Sequence, residues 1–255
     1  AGYAAPGYTG AIAGVEDAGA SLGSLRIAVM PTTLEGEPVH PAVAASVTGA
    51  ARLLESLGHT VIEARPAVGT REILEPVMRI VASGTAMAID QRLAALGRPA
   101  NADELEPTTR SAHALGRQLS AADYLASLAT LHRLNRRIGA FFHGSDGQPG
   151  FDVLVCPVLA EPPAELGRWA MSNPDFLEYR LGPQGLIRYS PFCPLANMTG
   201  QPALSLPLGM SPQRLPIGVQ FIGRFGEDAR LLALAAQLEM AQPWMRTLPP
   251  VLAGA

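Results

Sequence analysis

The chain has 255 residues, of which 48% are hydrophobic and 16% charged, with a formal net charge of -3. That length and hydrophobicity suit a globular protein with a substantial core, in one large domain or two small ones, and exclude a disordered chain. The lack of a basic excess argues against a nucleic-acid partner, and no apolar run approaches the roughly 18–20 residues of a membrane span.

Residues 1–24 are rich in Gly and Ala without periodicity and read as a lead-in or linker, with no secretory signal pattern. Order begins at Leu25–Met30, a short apolar strand stopped by Pro31. Val43, Val47, Ala50, Leu54 and Leu57 recur on one face, which predicts a helix from about Pro41 to Leu57 that Gly58 terminates. Thr60–Ala64 reads as the next strand. Strand, helix and strand at this spacing favour a parallel pair with a right-handed crossover.

Residues 70–142 read as helical. Pro76 opens one helix at its first turn, and Gly97-Arg98-Pro99 closes it. Asn101 or Asp103 caps a second. Ser120-Ala121-Ala122-Asp123 predicts a capping box, and the helix it opens carries Tyr124, Leu128, Leu131, Leu134, Ile138 and Phe141 down one face. Gly144–Gly150 is a turn, and Asp152–Pro157 a buried strand ended by proline. Residues 160–185 read as a long irregular excursion. Strands near Ala203–Leu206 and Gly218–Ile222 suit a hairpin, and Asp228–Met240 forms the last helix, with acidic residues at its positive end. The strands are apolar on both faces or nearly so, which predicts a sheet buried on both sides. Without neighbouring strands beside it, such a sheet should leave at least one edge and an apolar surface exposed.

The turn Asn197-Met198-Thr199-Gly200-Gln201-Pro202-Ala203 can end a helix and enter a strand, because Gly200 permits a positive φ and Asn and Thr bond nearby backbone. It is followed by Ser205-Leu206-Pro207-Leu208-Gly209, then Pro216-Ile217-Gly218-Val219-Gln220, then Gly223-Arg224 and an acidic helix start. This series resembles the closing segment of the amidase-signature family of serine hydrolases. Leu25–Met30, Val39-His40-Pro41-Ala42-Val43 and Leu57-Gly58-His59-Thr60-Val61 look like the strand, helix and Gly-His turn that follow that family's catalytic region. Asp152–Pro157 looks like its next core strand. The resemblance implies an α/β fold with a mixed β-sheet flanked by helices, the C-terminal half of the amidase-signature fold, over residues 25–255.

In that family a serine nucleophile, a second serine in a cis peptide and a lysine cleave the amide, while backbone N–H groups hold the oxyanion. This chain has no lysine, since all 19 positive residues are Arg, and it has no adjacent serines. The resemblance therefore places the catalytic residues outside this chain, in an N-terminal half from the same gene or on a partner chain. What carries over is pocket wall: Ile187, Ser190, Cys193 and Pro194 before the Asn turn, and Val81 on the 76–96 helix, as substrate-binding residues. Ile187, Ser190 and Pro194 fall at i, i+3 and i+7, so one helical face would look into a pocket. Core packing is the competing reading, because apolar stripes mostly mean core.

Other chemistry is thinly supported. Cys156 or Cys193 with a histidine would make a thiol dyad, yet buried Cys is usually inert. His132 and His143 lack metal-ligand spacing, so no metal or cofactor is expected. Two cysteines make no disulfide framework, which points to a reducing cytoplasm. Arg133, Arg136 and Arg137 read as a solvated face. Three functional readings follow: the C-terminal portion of an amidase acting on a small-molecule amide, a non-catalytic scaffold or binding remnant, or a subunit of a tRNA-dependent amidotransferase. The last needs a tRNA-facing surface, for which the mild negative charge gives no support. The isolated chain is expected to be inactive and to associate with its N-terminal half or with itself.

Overall fold

The computed structural model describes residues 22–244 apart from Ala102 and Asp146, together with Gly10 and Ile12. The lead-in expected over 1–24 lies almost wholly outside the described residues. Strand β1 (Arg26–Val29) leads through a loop to helix α1 (Pro41–Ser56) and strand β2 (Thr60–Glu63). Helices α2 (Thr70–Leu96), α3 (Pro107–Gln118) and α4 (Ala121–His143) follow, then the two-residue strands β3 (Gly144–Ser145) and β4 (Gln148–Pro149). Strand β5 (Val153–Pro157) precedes the short helices α5 (Phe176–Leu181), α6 (Leu186–Tyr189) and α7 (Cys193–Thr199). Strands β6 (Ala203–Met210) and β7 (Pro216–Gly223) and helix α8 (Asp228–Ala241) complete the order.

The main sheet runs β2-β1-β5-β7-β6. β1 is parallel to both β2 and β5, and β7 is antiparallel to β5 and β6, so the sheet is mixed, with helices on both faces. Strand alternation divides the core in two. Ala28, Leu154, Cys156 and Ile222 face one cluster, covered by Leu134, Ile138 and Phe142 of α4 and Leu195 of α7. Ile27, Val29, Val153, Val155 and Phe221 face the other, covered by Val47, Ala50 and Leu54 of α1 and Leu231, Leu234 and Leu238 of α8.

Several local expectations hold. Gly58 (φ 91) and Gly200 (φ 70) take the left-handed conformation that lets α1 and α7 turn directly into strands. The capping box forms: Asp123 N–H donates to Ser120 Oγ at 3.2 Å, and Ser120 N–H donates to Asp123 Oδ2 at 2.9 Å. Others shift. α2 starts at Thr70, which leaves Pro76 inside the helix. The early start is held from a distance, because Glu35 accepts from Thr70 N–H at 2.6 Å and from its hydroxyl at 3.0 Å. α3 opens at Pro107 instead of Asn101 or Asp103, since proline loses nothing at a first helical position. Asn101 N–H instead donates to Glu104, which pairs with Arg98 at 2.6 Å. On α4 the inward face runs through Ser127, Leu134, Ile138 and Phe142, with Tyr124 exposed. Strand β6 is buried on one face only: Leu206 is buried, while Ala203, Ser205 and Pro207 stand exposed at the sheet edge.

The amino ends of β1 and β5 are tied by Asp152. Its carboxylate accepts from Arg26 N–H at 2.7 Å and pairs with Arg224 at 3.1 Å and Arg230 at 3.3 Å. Arg224 Nε also donates to the Phe142 and Phe151 carbonyls. Through Arg224 and Arg230 this carboxylate joins the sheet to α4 and α8. Asp152→Ala should destabilise the chain by about 2–3 kcal/mol in urea denaturation, because it removes hydrogen bonds to a charged group and strands two guanidiniums. A second variant pair tests helix packing. A Cβ at Gly116 of α3 would collide with the Ala82 carbonyl of α2, whereas one at Gly139 meets open space. Gly116→Ala should cost about 1–3 kcal/mol, and Gly139→Ala should gain about 0.5–1 kcal/mol.

Candidate functional site

The three parallel strands β2, β1 and β5 end on the same side of the sheet, and in open sheets of this kind ligands bind outside the carboxyl ends of the strands. Each strand there feeds a loop. β1 runs into residues 30–40, β2 into 64–69, and β5 into the excursion that ends at α7. A cleft of about 390 Å³ lies between the first and third of these loops and the start of α2. The first loop contributes Thr33, Glu35 and Glu37, the start of α2 contributes Thr70 and Arg71, and the excursion contributes Leu181, Ile187, Arg188 and Pro191.

Local hydrogen bonds shape these loops. Thr33 N–H donates to the Glu37 carbonyl at 2.9 Å, and Gly36 N–H donates back to the Thr33 carbonyl at 3.0 Å. Gly36 sits at φ 89, which favours glycine. The first and third loops are stitched together by His40 N–H to the Ala160 carbonyl at 2.9 Å and Ala160 N–H to the Tyr189 carbonyl at 2.8 Å. Arg71 donates to the Leu181 carbonyl at 2.8 Å and pairs with Glu75 at 3.0 Å, so it braces the floor of the cleft. A neighbouring hollow of about 670 Å³ shares Arg71, Leu181, Gly182 and Pro183 and opens between α2, α3 and α5.

Of the five side chains expected to bind substrate, Ile187 lines the cleft. It is half-buried on α6 and packs against the cluster of Leu74, Met78, Ala82, Phe176 and Leu181. Ser190 lies past the end of α6 with φ -127 and ψ 66, and Cys193 and Pro194 belong to the separate helix α7. The single helical face expected for Ile187, Ser190 and Pro194 is therefore broken, as Pro191 leaves the helix between them. Cys193 Sγ lies 3.4 Å from Gln220 Oε1 and 3.8 Å from the Val158 carbonyl. Val81 is 39% exposed on α2. Thr33, Glu35, Glu37, Thr70 and Arg71 were not singled out from sequence. The only signal was their position just after strands ended by Pro31 and Ala64.

The thiols are not arranged for nucleophilic catalysis. Burial pushes the Cys156 thiol far up, and its partner is the buried Gln220 amide. Burial also raises Cys193, countered in part by hydrogen bonds from its own backbone and from Ser190. His59 is a buried tie: its Nδ1 accepts from Leu25 N–H at 3.2 Å and its Nε2 meets Gln237 Oε1 at 2.9 Å. His113 pairs with Asp90 at 2.8 Å. Arg137 is bound to Glu72 at 2.5 Å, so that end of the arginine cluster braces α4 against α2. Among the described residues no group of three or more His, Cys, Asp or Glu side chains is placed to hold a metal ion, and no helix is long and apolar enough to cross a membrane.

A family model described as Amidase matches residues 13–232. The 6-aminohexanoate-cyclic-dimer hydrolase of Pseudomonas sp. (strain NK87) is 32% identical over 234 residues, covering 90% of this chain and 46% of that protein. The putative amidase AmiC of Mycobacterium leprae is 33% identical over 227 residues, covering 87% of this chain and 45% of its own length. Among solved structures, 6-aminohexanoate cyclic dimer hydrolase complexed with substrate superposes with a TM-score of 0.83 at 30% identity, over 98% of this chain and 50% of that one. A bacterial aryl acylamidase of the amidase-signature family shares the fold, with a TM-score of 0.72 at 19% identity, over 94% of this chain and 46% of that one. The chain spans about half the length of these relatives. A match across so much of the chain, on a mixed sheet of this topology, shows that the chain belongs to the amidase family and corresponds to about half of its fold.

Proposed function

We propose that this chain is the C-terminal portion of an amidase that hydrolyses carboxamide C–N bonds, supplying scaffold and pocket wall, with the Ser-cisSer-Lys machinery outside it. The observation that carries the reading is the match over 90% of this chain to a hydrolase twice as long, in a sequence without a single lysine. A serine hydroxyl needs a base to become nucleophilic, and this sequence holds neither the lysine nor the adjacent serines of the family's relay. The substrate class is a small-molecule amide, for which the cyclic dimer of 6-aminohexanoate is the first to test. Residues 25–255 act as one part of a single amidase domain, in a reducing cytoplasm that suits two free thiols. In this reading Ile187 borders the acyl part of the substrate, with Ser190, Cys193, Pro194 and Val81 in the surrounding wall.

The 255-residue chain by itself should not turn over a simple aryl amide or the cyclic dimer. Turnover abolished by a serine-directed phosphonate would refute the division of labour.

In the assembled enzyme, Ile187→Trp should shift selectivity toward shorter acyl groups, because added bulk in a cleft blocks longer ones. A side chain packed wholly in a core would instead lose about 1–3 kcal/mol of stability with selectivity unchanged. Comparing kcat/KM across acyl lengths with the melting temperature separates the two.

A further inference from the structure

Helix α2 keeps an apolar face beyond the part of it that the core uses. Its first half sends Leu74, Met78 and Ala82 into the cluster that Phe176 and Leu181 complete. Asp90 then ties it to α3, meeting His113 at 2.8 Å and Arg117 at 2.7 Å. Around and past that tie, Ile89, Leu93 and Leu96 recur at i, i+4 and i+7, the spacing of one helical stripe. Neither these three nor Leu105 joins any of the three core clusters of the described residues, and Leu96 is 40% exposed. The stripe is apolar without being core.

The loop between α2 and α3 stands beside this stripe and is held in shape by its own hydrogen bonds. Arg98 donates to both carboxylate oxygens of Glu104, at 2.9 and 2.6 Å, and to the Pro99 carbonyl at 3.0 Å. Asn101 N–H donates to the same carboxylate at 2.8 Å. A hollow of about 410 Å³ opens between stripe and loop, with Leu105 on its far wall. Three of its lining residues carry charge. Arg98 and Glu104 neutralise each other, whereas exposed Arg92 makes no hydrogen bond or ion pair with its side chain among the described residues. The lining therefore has one uncompensated positive charge beside apolar walls.

We infer that this hollow binds a small anionic amphiphile, an aliphatic carboxylate whose chain lies along Ile89, Leu93 and Leu96 and whose head pairs with Arg92. Small-molecule sites of about 300–1,000 Å³ combine mostly apolar walls with a few placed polar groups, as here. A guanidinium takes a carboxylate through two parallel N–H bonds, and the stripe beside it offers the tail an escape from water. Size argues against a protein occupant, since a stable interface needs about 20–30 residues a side and nine line the hollow. The site is separate from the cleft: at the usual helical rise, Ile89 lies about 27 Å along α2 from Arg71. It does not depend on the proposed function.

The test titrates decanoate, below the concentration at which it forms micelles, into the 255-residue chain by calorimetry. Binding should be saturable and one-to-one. Decyltrimethylammonium, with the same tail and a cationic head, should bind about tenfold more weakly or not at all. Arg92→Glu should weaken decanoate on the order of tenfold or more, and Arg92→Lys should retain most of the affinity. Leu96→Glu, which charges the apolar wall, should abolish binding. Both side chains are exposed, so the melting temperatures of the unliganded variants should match that of the parent. No saturable binding by the parent chain overturns the site, as does binding that ignores either the head-group charge or both the Arg92→Glu and Leu96→Glu changes. Sedimentation with phosphatidylglycerol vesicles without binding of monomeric decanoate would assign the face to a membrane surface instead. A dimer seen by light scattering and dissociated by Leu96→Glu would assign it to a second copy. Either result overturns the small-ligand site.

Discussion

Strand β5 is the constraint on which the rest is built. All five of its residues are buried, with β1 parallel on one side and β7 antiparallel on the other. A strand buried on both faces has no solvated side, so each alternate residue must meet its own layer of helices. Leu154 and Cys156 demand cover from α4 and α7, and Val153 and Val155 demand it from α1 and α8. The two cores are therefore one consequence of a single apolar run. The same run explains why the thiol of Cys156 is inert, because no water reaches it to stabilise a thiolate.

The direction of the strands gives the molecule two unlike ends. At the amino ends of β1 and β5, Asp152 gathers a backbone amide and two arginines and fastens sheet to helices. At the carboxyl ends, the loops diverge and leave a cleft whose rim mixes Glu35 and Glu37 with Arg71 and Arg188. Rigid fastening at one end and divergent loops at the other are how an α/β scaffold separates stability from binding. Glu35 belongs to both roles, since it caps α2 from a cleft-lining loop. The geometry of the cleft is thus coupled to the placement of the long helix that carries Val81.

The sequence by itself determined the elements whose signals are local. The stripe Val43, Val47, Ala50 and Leu54 made α1 legible, Ser120 and Asp123 set the start of α4, and Gly200 set the passage from α7 into β6, because each rests on contacts within a few residues. The Asn197–Ala203 turn and the strands after it likewise carried the family resemblance. Only the tertiary structure decided what depends on distant partners. Thr70 rather than Pro76 begins α2 because Glu35 reaches it across 35 residues. Ser127 rather than Tyr124 faces inward on α4, and β6 is covered on one face alone. Of the wall expected over 187–194, Ile187 reaches the cleft while Cys193 turns to Gln220. Periodicity says that a residue has a face, but what that face meets is fixed by the packing of elements far apart in the chain.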